Sequence, residues 1–234
     1  MKRRIVTGDI HGCYNTLKTL LEQKVRITKD DKLYFVGDYI DRGPASREVL
    51  DYLIDLKWRG FHIFPIRGNH EDMMLKAMED PAYLRAWFNN GAEYTLRSMD
   101  IPEECIYDYE CFRHILPRYV RFLETMPYYI EEEDFILCHA GLNFAITSPL
   151  EDIQSMLWIR EFDYDPAKVS GKKVIHGHTP LPFLELEKSL MDKNRKVINL
   201  DAGCVYTGLR GYGHLVGWDV DSGEVFSQGN VDNA

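Results

Sequence analysis

Gly37-Asp38-Tyr39-Ile40-Asp41-Arg42-Gly43 follows directly on Lys32-Leu33-Tyr34-Phe35-Val36, an apolar run rich in β-forming residues that reads as a buried strand. Two glycines bracket two carboxylates and a guanidinium where that strand stops. Open α/β sheets hold their ligands at such strand ends. Uncompensated charge beside a buried strand is costly. A cation could compensate Asp38 and Asp41, since divalent metals take hard oxygen and imidazole ligands. Asp-Arg-Gly-Pro is also ordinary turn chemistry, so this run alone leaves both readings open.

Its neighbours repeat the pattern. Upstream, the short strand Arg4-Ile5-Val6-Thr7 runs into Gly8-Asp9-Ile10-His11-Gly12. Asp9 and His11, two apart, are expected on one side of an extended strand end. Leu17, Leu20 and Leu21 then follow at helical spacing. Downstream, Ser46 to Arg59 is expected to be a helix with Val49, Leu50, Leu53, Ile54 and Leu56 on its apolar face. A third strand, Phe61 to Pro65, ends in Ile66-Arg67-Gly68-Asn69-His70-Glu71. Independent turns would not repeat this composition in consecutive βα units, and the strand ends of one sheet lie side by side. Arg67 and Glu71 are expected to brace the loop as a buried ion pair.

Residues 72 to about 126 read as a helical insertion, with apolar patches at Met73-Met74-Leu75 and Tyr83-Leu84-Trp87-Phe88, a stop signal at Asn89-Asn90-Gly91, and further short helices around Tyr94 to Met99 and Ile115 to Leu123. The Met and aromatic residues there are assigned to core rather than chemistry. Tyr128-Tyr129-Ile130 and Phe135-Ile136-Leu137-Cys138 read as a hairpin whose second strand ends at His139-Ala140-Gly141, with a solvated acidic turn between them. Val174-Ile175 ends in His176-Gly177-His178-Thr179-Pro180, and strands are expected at 197–201, 214–218 and 224–226. No repeat or linker interrupts the chain, which reads as one domain, residues 1–234.

Apolar residues make up 45% of the chain and charged residues 28%, as in ordinary globular proteins. A net charge of -9 argues against general nucleic-acid binding. Five scattered cysteines form neither a disulfide framework nor a CxxC zinc site, and Cys138 and Cys204 read as buried thiols. No stretch has the length of a membrane span, and Met1-Lys2-Arg3-Arg4 leads into too few apolar residues for a signal peptide. The expected location is cytoplasmic.

The convergent groups are then Asp9, His11, Asp38, Asn69, His139 and His178. Oxygen and imidazole without sulfur suits Mn²⁺, Fe or Zn²⁺ more than Ca²⁺. Six donors suffice for two metals sharing a carboxylate, and two-metal sites specialise in phosphoryl displacement.

GDIHG (8–12), GDYIDRG (37–43), RGNHE (67–71), LCHAGL (137–142) and HGHTP (176–180), with Asp201-Ala202-Gly203 behind them, resemble in this order the calcineurin-like metallophosphoesterase superfamily. More closely they resemble the phosphoprotein phosphatase family, with its bacterial and lambda-phage Ser/Thr phosphatases and the symmetric diadenosine tetraphosphatases. The resemblance implies an α/β fold, a four-layer α/β/β/α sandwich of two mixed sheets with a helical insertion. It implies two divalent ions, Mn²⁺ first among them. Asp9 and His11 would hold the first, Asp38 would bridge, and Asn69, His139 and His178 would complete the second. By the same resemblance His70 is the general acid, Asp41 orients it, and Arg42 and Arg160 clamp the phosphate while a metal-bridging hydroxide attacks in line. Pro180 stands where many superfamily relatives carry a further histidine ligand, which matches the phosphoprotein phosphatase branch. His176 is expected to pack beside the site, and His62, His114 and His214 to be structural.

The function so implied is hydrolysis of phosphoserine and phosphothreonine in proteins, favoured because Trp87-Phe88-Asn89-Asn90-Gly91 to Thr95-Leu96 is similar to the insertion of bacterial and phage protein phosphatases. The alternative is a symmetric dinucleoside tetraphosphate hydrolase or another small phosphate-ester hydrolase. Partners would be phosphoproteins or small phosphorylated molecules, with no nucleic acid and no membrane. A non-catalytic scaffold would have lost ligands, and none is lost.

Overall fold

The computed structural model describes residues 2–113 and 117–232. In chain order the strands are β1 (Arg4–Thr7), β2 (Lys32–Phe35), β3 (His62–Pro65), β4 (Tyr129–Glu131), β5 (Phe135–Cys138), β6 (Lys173–His176), β7 (Val197–Asn199), β8 (His214–Asp219) and β9 (Val225–Gly229). They build a five-stranded sheet in the order β3-β2-β1-β8-β9 and a four-stranded sheet in the order β4-β5-β6-β7. β1, β2 and β3 run parallel, whereas β8 pairs antiparallel with both β1 and β9. In the second sheet β5, β6 and β7 are parallel and β4 antiparallel.

Side chains alternate along each strand between two different cores. Ile5, Leu33 and Phe35 enter one core with the helices α1 (Tyr14–Thr19) and α2 (Ser46–Trp58). Val6, Tyr34 and Val36 point the other way and meet Phe135, Leu137, Ile175 and Ile198 of the second sheet. Ile136, Cys138 and Val174 fill a third core with Leu142, Phe144 and Met156. Both faces of β2 and β5 are buried, which is why each reads as an unbroken apolar run. The architecture is the expected one, two mixed sheets packed together and flanked by helices.

Between β3 and β4 the chain forms α3 (Asn69–Glu79), α4 (Leu84–Phe88), α5 (Ala92–Ser98), α6 (Tyr109–Phe112) and α7 (Pro117–Glu124). After β5 come α8 (Ile153–Trp158) and, after β6, α9 (Phe183–Met191). The expected helix from Ile115 begins on residues outside the described ones, as does His114. α9 escaped the sequence reading because Pro180 and Pro182 mark its start as a loop. Its Leu186 and Leu190 nevertheless join the core between the sheets.

Cys105 and Cys111 form a disulfide, their Cα atoms 5.4 Å apart. The turn in which the Cys111 N–H donates to Asp108 O brings them together, and a five-residue gap carries no recognisable motif. Cys13, Cys138 and Cys204 are buried free thiols. His62 is exposed, and His214 stacks on Phe183 with ring centroids 4.7 Å apart. The acidic turn is less solvated than expected, since Asp134 pairs with Arg4 and Glu132 accepts from the Tyr34 hydroxyl. No described helix is long and apolar enough to cross a membrane.

Candidate metal centre

The chain reverses sharply after β2. Asp38, Asp41 and Arg42 have φ of 53°, 69° and 67°, and His11 and His178 have 47° and 70°. Each such left-handed non-glycine residue costs about 1–3 kcal/mol. The strain gathers where side chains are turned toward one point. Asp9 and His11 lie beyond the end of β1, on a backbone that turns at His11, rather than on the extended strand end that the spacing predicts.

Glu71 holds this shape. Its Oε2 accepts from the N–H groups of Asp38 and Gly68, both at 2.9 Å, and its Oε1 from Tyr39 at 2.8 Å and Ile40 at 3.3 Å. The expected Arg67–Glu71 ion pair is absent among the described residues. Arg67 precedes α3 and donates to the Tyr128 hydroxyl at 2.9 Å and to the carbonyls of Leu123 and Glu124. Four backbone amides already satisfy Glu71. Two glycines let backbone come close to carboxylates. A Cβ at Gly68 would lie 2.2 Å from Asp38 Oδ1, and one at Gly177 1.9 Å from Asp9 Oδ1.

Two groups of side chains result, His11-Asp38-His70 and Asp38-His139-His178, each with its ligand-type atoms within 4.8 Å of one another. Asp38 belongs to both. His139 turns Nδ1 toward Val36 O at 2.9 Å, which leaves Nε2 as an acceptor. That nitrogen faces Asn69 Oδ1 at 2.7 Å and His178 Nδ1 at 3.2 Å, and Asn69 Oδ1 lies 3.1 Å from His178 Nδ1. Lone pairs at this spacing repel unless a proton or cation lies among them. His11 likewise turns Nδ1 to Ile40 O at 2.9 Å, and its Nε2 accepts from Arg42 Nη1 at 2.8 Å. Asp9 Oδ2 accepts from the His178 N–H at 3.0 Å. Asp9 Oδ1, His178 Nε2 and His70 Nε2 are buried without partners. Buried polar atoms rarely stay so, and this donor set fits divalent cations.

Beside it His70 Nδ1 donates to Asp41 Oδ2 at 2.6 Å. Trp87 donates its indole N–H to the same carboxylate, and Thr95 donates to Asp41 Oδ1 at 2.6 Å. The sequence assigns Trp87 to a core without chemistry. It is fully buried, and its polar edge is what matters here. Arg42 is half-buried, its guanidinium 5.9 Å from the centre of the Tyr206 ring. Arg160 is exposed just after α8, near enough to His178 to disfavour its protonation. Trp158 stands edge-on to His178 at 6.1 Å.

The electrostatics are those of crowded buried charge. Burial, then Asp201 and Asp38, push Asp9 well above the usual carboxylate range. Burial also lifts Asp201 to about 7. Burial works against the Asp38 anion too, yet His139, His70 and His11 hold it below its ordinary value. Burial brings His178 down to about 3 and His139 down as well, and it drives His11 well below its ordinary value. The lowered values favour the neutral imidazole, the form that binds metals. His176 is buried beside them, its Nδ1 toward Gly177 O at 3.0 Å, and burial lowers it to about 4.

A family profile described as calcineurin-like phosphoesterase matches residues 2–221. The chain is 23% identical over 227 residues to an asymmetrical bis(5'-nucleosyl)-tetraphosphatase, PrpE, of Anoxybacillus flavithermus, covering 87% of this chain and 86% of that one. It is 34% identical over 131 residues to serine/threonine-protein phosphatase 2 of Escherichia coli, covering 56% and 57%. It is 27% identical over 150 residues to a symmetrical bis(5'-nucleosyl)-tetraphosphatase of Vibrio campbellii, covering 64% of this chain and 47% of that relative. The last two relatives are thus matched over only about half their length. Among solved structures, a protein serine/threonine phosphatase from Saccharomyces cerevisiae superposes with a TM-score of 0.62 at 19% identity, covering 97% of this chain and 79% of that one.

Proposed function

The chain belongs to the calcineurin-like phosphoesterase family, and from that premise we propose that it is a metal-dependent phosphomonoesterase acting on phosphoserine and phosphothreonine in proteins. The observation that carries the reading is Asp38 shared between the groups His11-Asp38-His70 and Asp38-His139-His178, with His70 itself bonded to Asp41. Asp9, His11 and Asp38 would hold one divalent cation, and Asp38, Asn69, His139 and His178 the other. Mn²⁺ is the ion we assign, although the same donors take Fe or Zn²⁺. When bound, such a pair supplies Lewis acidity at the phosphoryl oxygens and lowers the pKa of water toward neutrality.

The remaining work falls to this chain's own side chains. His70 keeps Nε2 unpartnered, so an imidazolium there can donate to a departing alkoxide. Asp41 fixes which nitrogen carries that proton by taking the Nδ1–H. Arg42 and Arg160 bring guanidinium groups, whose planar forks match phosphate oxygens, Arg42 against His11 and Arg160 within electrostatic reach of His178.

A second reading, hydrolysis of dinucleoside tetraphosphates, draws support from the Anoxybacillus and Vibrio relatives. The protein reading draws on the stretch from Trp87 to Thr95, which grips Asp41 at both ends. Turnover of phosphoserine and phosphothreonine peptides, measured beside turnover of diadenosine tetraphosphate in Mn²⁺, separates them. Higher kcat/KM on the peptides is expected. The reverse ranking would replace the first reading by the second.

A further inference from the structure

A cleft opens between the two sheets at the end opposite Asp38. β6 starts with Lys173 at this cleft and ends at His176, two residues before His178, so the strand's length separates the two places. The cavity has a volume of about 320 Å³, within the range of small-molecule sites. Its floor is apolar and buried, made of Leu190 from α9, Ile198 from β7 and Trp218 from β8. These side chains belong to the core between the sheets, which here reaches the surface.

The rim is cationic. Lys173, Lys193 and Arg195 surround the opening, and none of the three is in a salt bridge among the described residues. Lys173 holds its ammonium 5.5 Å from the centre of the Trp218 ring. Two acids also stand at the rim and offset part of this charge. Asp221 pairs with Arg4 at 2.6 Å, and Asp192 accepts from the Asn194 N–H at 3.0 Å. On a chain of net charge -9, a rim of three cations against two acids, one of them paired with Arg4, leaves a positive balance over the apolar floor that favours negative charge. Trp218 offers the cleft its ring face, over which the Lys173 ammonium lies, while its indole N–H is buried without a partner.

We propose that this cleft binds an amphipathic anion, its apolar body against Leu190, Ile198 and Trp218 and its charged head among Lys173, Lys193 and Arg195. The site is separate from the catalytic centre and does not depend on the reaction proposed for it.

The probe is 10-bromodecanoate, kept below its micelle-forming concentration and titrated into the full chain while tryptophan fluorescence is followed. Bromine quenches only at short range. Saturable quenching is expected, and Trp218→Phe should remove most of it although Trp58, Trp87 and Trp158 remain. The exposed pair Lys193→Glu and Arg195→Glu, which spares the floor, should weaken binding about ten-fold or more. Uncharged decanol should protect poorly against the quench, and millimolar inorganic phosphate should leave it unchanged. The proposal is overturned by an absence of saturable quenching, by equal affinity in the charge-reversed chain, or by equal quenching in Trp218→Phe. Displacement by phosphate would overturn it too, by moving the anion to the catalytic centre.

Discussion

Trp87 and His70 grip the same carboxylate oxygen. The indole nitrogen lies 3.0 Å from Asp41 Oδ2, and His70 Nδ1 lies 2.6 Å from it. The helical segment between β3 and β4 is thereby tied to the proposed acid. Trp87→Phe keeps a ring in the core but removes the donor, leaving a small cavity and Asp41 one partner short. A hydrogen bond to a charged group contributes about 1.5–3 kcal/mol. The melting temperature should fall accordingly, and kcat on an aryl phosphate should drop about ten-fold through the misplaced Asp41. Unchanged kcat alongside a lowered melting temperature would leave the indole a purely structural role.

The charge around His70 sets a pH limb. Burial opposes its charged form, but the Asp38 and Asp41 carboxylates outweigh that, and His70 stays protonated above its ordinary 6.5. Its folded pKa exceeds the unfolded one. The stability it adds is complete below about pH 6.5 and is lost as pH rises through the raised value. Activity that needs the imidazolium should fall over the same window. Asp41→Asn removes one of the two carboxylates, so the basic limb of kcat/KM should move to lower pH. His70→Asn should cost about a hundred-fold or more in kcat. A basic limb that stays put in Asp41→Asn would separate it from His70.

Much of this site could be read from strand ends alone. Strands buried on both faces are locally written, and β1 runs from Arg4 to Thr7 as the residues predict. Asp9 and Asn69 follow parallel strands of one sheet that end together, and His178 reaches them from the end of β6 in the second sheet. Other features depend on contacts that no local pattern holds. Trp87 reads as core because only its one polar atom matters, and it meets Asp41 across 46 residues. Glu71 reads as half of an ion pair, yet its partners are backbone amides, which every residue carries. The left-handed backbone at Asp38 and His11 is set by what the loop must reach; Asp and His tolerate it better than most residues, but no local pattern demands it.

Shared ownership of Asp38 makes metal loss and Asp38→Asn comparable experiments. Exhaustive dialysis against a chelator should abolish aryl phosphate hydrolysis, and Mn²⁺ should restore it. An ion that binds only the folded chain at a hundred times its Kd stabilises by about 2.7 kcal/mol. The wild-type melting temperature should therefore rise on adding Mn²⁺. In Asp38→Asn that rise should shrink and turnover should vanish, with the far-ultraviolet spectrum unchanged. Full activity in the stripped protein would remove metals from the mechanism.

Glu71→Gln tests the bracing carboxylate. Glutamine matches glutamate in size but offers one oxygen and one amino group. Glu71 now accepts four backbone N–H groups, two on each oxygen. Whichever way the amide is turned, its NH₂ meets two N–H donors, those of Asp38 and Gly68 or those of Tyr39 and Ile40. Those amides are buried, so leaving them unpaired costs about 2 kcal/mol or more. Chemical denaturation should show at least that loss with an unchanged m value. Asp38 hangs from the same loop, so Mn²⁺ affinity should weaken in Glu71→Gln, although Glu71 belongs to neither ligand group. Equal stability and equal Mn²⁺ affinity in the variant would show that the loop keeps its left-handed path without the carboxylate.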